Sequence, residues 1–388
     1  MILRNIQRLL FLFTHVIILT LIASSFLFAQ DEEEALKYQP PRDYGHLWKF
    51  GSLFGITPED GVLLGGGPVL YEYGFRTLPH VYRMELVGGI TLKTGRFKFV
   101  YMLDMPSLTK HLGLDLHAYA SELEVRNFFD YGNDSFRDEE KDDVKIYRVT
   151  SREYSIRPTL RYRITDQFSI GCVASLKHFD IRHASTPRHI DTVASQVLGS
   201  GRTTVGTGLV LVADLRDRPV ATLNGAYAVF EGWNYPDPFH KQSPFQRIRG
   251  EARGYFSPVK DELTFAARVG AEKLYGRFPF YEAAFLGGGT SLRGYSRQRF
   301  AGDASAFGSV EVRFFVARLK ILVPSDVGLF ALADAGRVWV AKKSPGGWHT
   351  DAGGGIWIAP IRRELTLSIA IASSKDGVFV NGGFGFGF

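Results

Sequence analysis

The sequence predicts an all-β fold, a sixteen-stranded antiparallel transmembrane β-barrel with an inward-folded loop after the eleventh strand. Three observations predict this fold. Glycine (42 residues) and aromatic residues (14%) are abundant in the 388-residue chain, as in β structures with glycine-rich turns and aromatic girdles. Apolar and polar residues alternate along many short segments. Long connections alternate with short ones, as the two ends of an outer-membrane barrel require.

The N-terminal segment is typical of an exported protein. Arg4 and Arg8 precede a mostly apolar run, 9–29, and the charge changes abruptly at 30–34 (QDEEE). This pattern predicts a secretory signal peptide over residues 1–29, a short periplasmic lead-in over 30–45, and the barrel over 46–388. The alternative is an uncleaved anchor helix, because the apolar run approaches the roughly 20 residues that span a bilayer. Export fits the outer membrane of a Gram-negative type of cell.

Alternation with a period of two residues justifies the individual strands. In the segment 154–164 (YSIRPTLRYRI), apolar residues occupy one face and arginines the other. A soluble β-sandwich would not bury such a charged face without partners, whereas a membrane barrel turns the apolar face to lipid and the charged face to a wet lumen. The segment 309–316 (SVEVRFFV) repeats the pattern, with Glu311 and Arg313 inward. At the end of the chain the same pattern predicts Phe384, Phe386 and Phe388 on the lipid face.

The number of strands and the lengths of the connections agree with a closed barrel. An even number of strands is usual for bacterial barrels. Long connections follow the fifth, seventh, ninth and eleventh strands, so we expect these on the extracellular side and both ends of the chain in the periplasm. The predicted strands are 46–56, 61–73, 80–93, 96–105, 112–124, 146–164, 167–180, 202–216, 222–234, 245–257, 262–275, 304–318, 327–341, 347–359, 363–373 and 378–388.

The segment 287–302 (GGGTSLRGYSRQRFAG) lies in the connection after the eleventh strand. Its glycines permit a tight reversal, so Arg293 can reach back into the lumen. There the guanidinium needs a carboxylate, because an unpaired charge in a confined interior is costly. Glu311 and Asp334 lie on inward faces of the next two strands and are the candidate partners. The alternative is an ordinary exposed loop arginine.

These features resemble the BamA/TamA outer-membrane assembly barrel superfamily, also called the bacterial surface antigen family. In that family the loop after the eleventh strand enters the barrel, and acidic residues on the next two strands clamp its Val/Ile-Arg-Gly-Phe/Tyr tip. Here the tip is 292–295 (LRGY), and 330–336 (FALADAG) resembles the family's Phe-x-Asp-Ala-Gly strand motif. The resemblance implies a structural lock, the loop lock, formed by Arg293, Gly294, Tyr295, Glu311, Asp334 and Gly336.

Three further segments carry the resemblance over residues 47–388. The segment 127–135 (NFFDYGNDS) resembles the family's Phe-x-Gly-x-Gly-Asn segment, with Asp130 in place of the first glycine. The terminal phenylalanines Phe384, Phe386 and Phe388 resemble the carboxy-terminal signal by which such barrels are recognised for assembly. The segment 213–225 (ADLRDRPVATLNG) resembles the family's periplasmic turn between the eighth and ninth strands, with Asp214, Arg216, Asp217, Pro219 and Gly225 as its motif residues.

The resemblance implies a role in inserting or translocating proteins, or lipids, at the outer membrane. It implies outer-membrane lipids, client outer-membrane proteins or a separate periplasmic partner as partners, and a weak, glycine-bearing seam between the first and last strands. Relatives that act as insertases carry POTRA domains, and the about 17 residues between the predicted signal peptide and the first predicted strand are too few for one. The alternative function is that of a passive pore or structural barrel. A third hypothesis is a barrel hydrolase.

The composition gives little support to other classes. No Gly-x-Ser-x-Gly or His-Glu-x-x-His motif occurs. The single cysteine, Cys172, excludes internal disulfides and a cysteine metal cluster. A net charge of +6 does not by itself indicate nucleic acid as a partner. We therefore expect no enzymatic activity, no catalytic or metal site and no cofactor.

Overall fold

The computed structural model describes residues 44–388, except 58–60, 76, 136–143, 183–188, 194–200, 239–242, 321–322 and 342–345. The predicted signal peptide and most of the predicted lead-in lie outside the described residues. Within the described ranges, no helix is both long enough and apolar enough to cross a membrane.

Sixteen antiparallel strands form one continuous sheet in the order β1 to β11 and then β14 to β18, which confirms the predicted sixteen-stranded all-β architecture. The boundaries agree with the predicted ones to within a few residues. The strands of the wall are β1 (Gly45–Thr57), β2 (Gly61–Gly74), β3 (Thr77–Thr91), β4 (Phe97–Met105), β5 (Leu112–Asn127), β6 (Arg148–Arg163), β7 (Phe168–Arg182), β8 (Arg202–Asp214), β9 (Gly225–Tyr235), β10 (Phe245–Val259), β11 (Leu263–Gly276), β14 (Ala304–Lys320), β15 (Pro324–Trp339), β16 (His349–Pro360), β17 (Leu367–Ser374) and β18 (Gly377–Phe384).

The remaining elements are short and lie in the connections. Two three-residue strands, β12 (Ala284–Leu286) and β13 (Phe300–Gly302), pair with each other inside the connection between β11 and β14. A single helical turn, α1 (His189–Val193), lies between β7 and β8. Three 3₁₀ turns are Val144–Tyr147, Phe280–Glu282 and Arg363–Leu365.

The two faces of the wall differ as the alternation predicts. On β14, Val310 and Phe314 are 53% and 44% exposed on the outer face. Glu311 and Arg313 between them are buried on the lumen face. On β6, the inward Arg161 donates to the carboxylate of Asp115 on β5 at 2.6 Å. These two charged side chains thus pair across neighbouring strands on the lumen side, an arrangement that the lipid-facing side could not solvate.

The first and last strands form the two ends of the sheet. β1 has 13 residues and β18 has 8. β18 ends at Phe384, so the predicted strand to Phe388 is wrong over its last four residues. The physical reason is Gly385, whose φ of +76° breaks the extended backbone and is a conformation that glycine adopts without a steric penalty.

Candidate functional site

The connection between β11 and β14, residues 277–303, folds into the barrel. Its apolar core contains Leu292 and Tyr295, which are 0% and 2% exposed and cluster with side chains of β12, β13 and β15. Gly336 on β15 makes room for this contact, since a Cβ there would lie 3.0 Å from Cδ1 of Leu286. Burial of apolar side chains therefore brings the loop tip against the inner wall.

Arg293 at the loop tip contacts both carboxylates expected from the sequence. Its Nε and Nη2 donate to the two oxygens of Asp334 at 2.8 and 2.7 Å, which is the bidentate geometry that guanidinium and carboxylate favour. Its Nη1 donates to Oε1 of Glu311. The side chains of Arg293, Glu311 and Asp334 are 4%, 0% and 0% exposed. One positive and two negative charges are thus withdrawn from water together.

The charges around this contact form a wider network. Arg313 donates from Nε to the second oxygen of Glu311 at 2.8 Å, so Glu311 is shared by two arginines. Asp351 on β16 lies directly across from Asp334 in the sheet and is 5% exposed. The backbone of Gly294 and the carboxyl of Asp334 are the hydrogen-bonding neighbours of its carboxyl group. The site therefore contains a third acid beside the arginine contact.

Gly294 and Tyr295 tie the loop tip to β16, β17 and β18. A Cβ at Gly294 would lie 2.4 Å from Cβ of Asp351, so only glycine fits at this approach. The carbonyl oxygen of Gly294 accepts from Oγ of Ser374, and the Tyr295 hydroxyl donates to the carbonyl of Thr350 at 3.3 Å. Nδ2 of Asn381 on β18 donates to the carbonyl of Arg293 at 2.8 Å. All six residues of the loop lock thus lie together.

A second anchor, which the sequence analysis missed, holds the stem of the same loop. Glu282 in the 3₁₀ turn is 6% exposed and accepts from Nζ of Lys177 on β7 at 3.0 Å and from Nη2 of Arg247 on β10 at 2.8 Å. Lys177 also contacts Glu153 on β6 at 3.1 Å. The polarity is opposite to that of the tip, because here the loop supplies the carboxylate and the wall the cations. The feature of the sequence that could have indicated this anchor is an acidic residue directly after two aromatic residues (280–282, FYE).

The segment 127–135 packs against β15 and against the loop, where the amide of Gly132 donates to the carbonyl of Ala301 at 2.8 Å. Nδ2 of Asn133 donates to the carbonyl of Val338 on β15 at 2.8 Å, and Oδ1 of Asn133 accepts from the Val338 amide at 3.0 Å. Asp130 has a φ of +87°, a conformation that favours glycine. The family resemblance has a glycine at this position, so the substituted aspartate retains the glycine backbone conformation.

The predicted periplasmic turn motif gathers into one compact turn after β8. Arg216 donates to both oxygens of Asp214 at 2.8 and 2.7 Å and to the carbonyl of Pro219 at 3.0 Å. Oδ1 of Asp217 accepts from the amide of Leu223 at 3.1 Å. Gly225 has a φ of +115°, and a Cβ there would lie 2.2 Å from a backbone oxygen. The motif residues therefore fix the shape of the turn itself.

The three terminal phenylalanines do not share a face. Phe384 is 80% exposed on the outer face. Phe386 packs instead against Phe330 and Trp357 inside the barrel, and Phe388 lies beside Tyr255. The prediction that all three face lipid is therefore wrong for Phe386 and Phe388, because the chain turns inward at Gly385.

Taken together, the wall and its contents define a class of protein: a sixteen-stranded outer-membrane barrel whose inward loop is clamped by an arginine between two wall carboxylates. The chain belongs to the Omp85 superfamily, since the model of the Omp85 superfamily domain matches residues 103–387. Proteins of this family are outer-membrane proteins.

Two solved structures show the same fold. BamA from Haemophilus ducreyi lacking POTRA domains 1–3 is 14% identical with a TM-score of 0.60, and the match covers 88% of this chain and 69% of that one. CdiB from Escherichia coli is 16% identical with a TM-score of 0.55, over 89% of this chain and 63% of that one. The chain therefore spans less than two thirds of CdiB. No curated protein sequence is significantly similar to this chain.

Proposed function

We propose that this protein assists the insertion or translocation of proteins, or of lipids, at the outer membrane by opening a seam between β1 and β18. The observation that carries the proposal is the pair of free strand edges at the two ends of the sheet. Across the described residues, β1 and β18 share no backbone pairing. Unpaired backbone groups in hydrocarbon cost several kcal/mol each, so such an edge favours pairing with an incoming client strand.

The last strand supports this proposal because it is weakly built. β18 pairs with β17 over only eight positions, and Gly382 and Gly383 within it supply no side chain to pack. Glycine weakens a strand interior through its entropy and its missing contacts. In contrast, β14 and β15 pair along almost their whole length. β18 therefore presents a short, glycine-bearing edge at the seam with β1.

The filled lumen argues against a wide passive pore. Arg293 at the tip and Glu282 at the stem fasten the loop to two separate stretches of the wall, β14–β15 and β7–β10. We propose that the loop lock keeps the loop in place while the seam opens. Outer-membrane lipids surround the apolar outer face, and a separate periplasmic partner delivers clients. The role needs no catalytic residue and no cofactor.

Photo-crosslinking from the wall in intact cells tests this function. A crosslinking amino acid is placed at Phe50 on β1 or Val378 on β18, which are 73% and 63% exposed. Leu209 on β8, 52% exposed to lipid, is the matched control. We expect newly exported outer-membrane proteins to crosslink at Phe50 and Val378 and not at Leu209. Equal crosslinking at all three positions, or none at any, contradicts the proposal and favours the passive barrel.

A further inference from the structure

A groove of about 1020 Å³ runs over the outer face of β6 to β10, which we call the wall groove. Its ridges are Leu160 on β6, Leu209 on β8 and Ile248 on β10, which are 43%, 52% and 42% exposed. Its floor includes Cys172 on β7 and Gly232 on β9. Small-molecule pockets commonly occupy about 300–1,000 Å³, so the wall groove has room for a ligand with several hydrocarbon chains.

The register of the sheet produces this shape. Leu160, Cys172, Leu209, Gly232 and Ile248 lie directly across from one another on five successive strands. Neighbouring strands lie about 4.8 Å apart, so bulky and small side chains alternate across the outer face at that spacing. A Cβ on Gly232 would meet nothing within 4 Å. The depression at Gly232 is therefore open space, and an apolar group that fills it gains dispersion contacts with the ridges on both sides.

One end of the wall groove is polar. Thr207, Asn234 and Gln246 line it and lie directly across from one another on β8, β9 and β10. All three are exposed, and none of their side chains hydrogen-bonds to another part of the chain that the structure describes. Asn234 and Gln246 lie one residue from the ends of β9 and β10, beside the connection 236–244 that we expect on the extracellular side. The wall groove thus has the polarity of an amphiphile in the outer leaflet, polar outside and apolar towards the middle of the membrane.

The polar end is neutral. A side-chain amide offers two donors and an acceptor, and a hydroxyl both donates and accepts. Arg247 is the one charged residue among those that line the wall groove, and its guanidinium lies on the lumen side, where it donates to Glu282 at 2.8 Å. A phosphate is recognised best by arginine and lysine, whereas neutral groups that donate and accept complement the amide and ester linkages of acyl chains.

We propose that the wall groove is a binding site for one outer-leaflet lipid, a glycolipid whose acyl chains are joined to its head by amide and ester groups. The chains fill the depressions at Cys172 and Gly232, and the linkages hydrogen-bond to Thr207, Asn234 and Gln246. The wall groove is continuous with the lipid-facing surface of the barrel, which favours a lipid as its occupant. A second copy of the chain would cover the three polar side chains with another apolar face and leave them unsatisfied, which is costly.

Native mass spectrometry of the full chain released from detergent micelles tests this site. The probes are lipid A, a glucosamine disaccharide with amide- and ester-linked chains, and dioleoylphosphatidylethanolamine, which has ester linkages alone. Gly232→Trp fills the depression on β9. Gly254→Trp on β10 is the matched control, since a Cβ there also meets nothing within 4 Å and Gly254 lies outside the wall groove. We expect Gly232→Trp to bind lipid A at least about tenfold more weakly than the unmodified chain, because the indole displaces the buried chains, and Gly254→Trp to bind like the unmodified chain.

The polar end is tested by replacing Asn234→Leu and Gln246→Leu together. We expect this double variant to bind lipid A no better than the phospholipid, because the hydrogen bonds to the linkages are lost, whereas Asn234→Gln retains binding. Compact heat-resistant migration checks the folding of each variant, and Cys172→Phe fills the neighbouring depression if Gly232→Trp does not fold. Equal binding of lipid A by Gly232→Trp and Gly254→Trp, equal retention of the two lipids by the unmodified chain, or a dimer in place of the lipid complex overturns the inference.

Discussion

Replacing Arg293 by alanine tests the loop lock at its centre. The change removes the bidentate contact to Asp334 and the contact to Glu311. Glu311 keeps Arg313 as a partner, so the uncompensated buried charge falls on Asp334. Breaking a buried ion pair from one side costs about 3–5 kcal/mol. We therefore expect Arg293→Ala to lower the folded-to-unfolded ratio by about a hundredfold to a few thousandfold, since each 1.4 kcal/mol is about tenfold.

The assay is equilibrium urea unfolding of the barrel in lipid vesicles, with compact heat-resistant migration as the readout. Arg297→Ala in the same loop, where the side chain is exposed, should change the free energy of unfolding by less than about 0.5 kcal/mol. Adding Asp334→Asn to Arg293→Ala removes the stranded charge and should recover about 2 kcal/mol, within the range of measured coupling energies. An unfolding midpoint for Arg293→Ala equal to that of Arg297→Ala, or no recovery in the double variant, refutes the reasoning.

Three further changes probe other parts of the site. Glu282→Gln weakens the stem anchor to Lys177 and Arg247 and should destabilise the barrel by about 3 kcal/mol, with faster proteolysis of the loop as a second readout; unchanged proteolysis argues against an anchor. Arg216→Ala breaks a partly exposed pair in the turn after β8 and should cost less than about 1 kcal/mol in urea unfolding; a larger loss would mean that the turn supports the wall. Asp351→Asn removes a buried charge directly across from the carboxylate of Asp334 and should raise stability by about 1 kcal/mol, whereas a loss would show that the hydrogen bonds of this carboxyl group outweigh the repulsion.

The wall could be predicted from the sequence because its alternation is local. Lipid on one side and water on the other impose a period of two on every strand, so segments such as 154–164 reveal their orientation without any contact being known. The loop lock could be predicted from the sequence for the same reason. Glu311 and Asp334 occupy inward positions on the strands that follow the loop, and Arg293 is the loop's glycine-flanked cation.

The stem anchor and the inward path of residues 385–388 could not be predicted from local alternation, because both depend on contacts across the lumen. Lys177 and Glu282 are 105 residues apart, and no local pattern links them. The prediction for residues 385–388 was wrong because alternating phenylalanine and glycine is also the pattern of a strand with one lipid-facing side. The backbone at Gly385 and the arginines on β11 and β14 override that alternation, and neither is visible in the periodicity of residues 384–388.

Single-channel recording in planar bilayers tests most directly whether the inward loop fills the lumen. With the loop held by Arg293 at its tip and Glu282 at its stem, the account predicts small, erratic openings for the unmodified protein and larger, longer openings when both anchors are replaced. A large and steady current from the unmodified protein would contradict it.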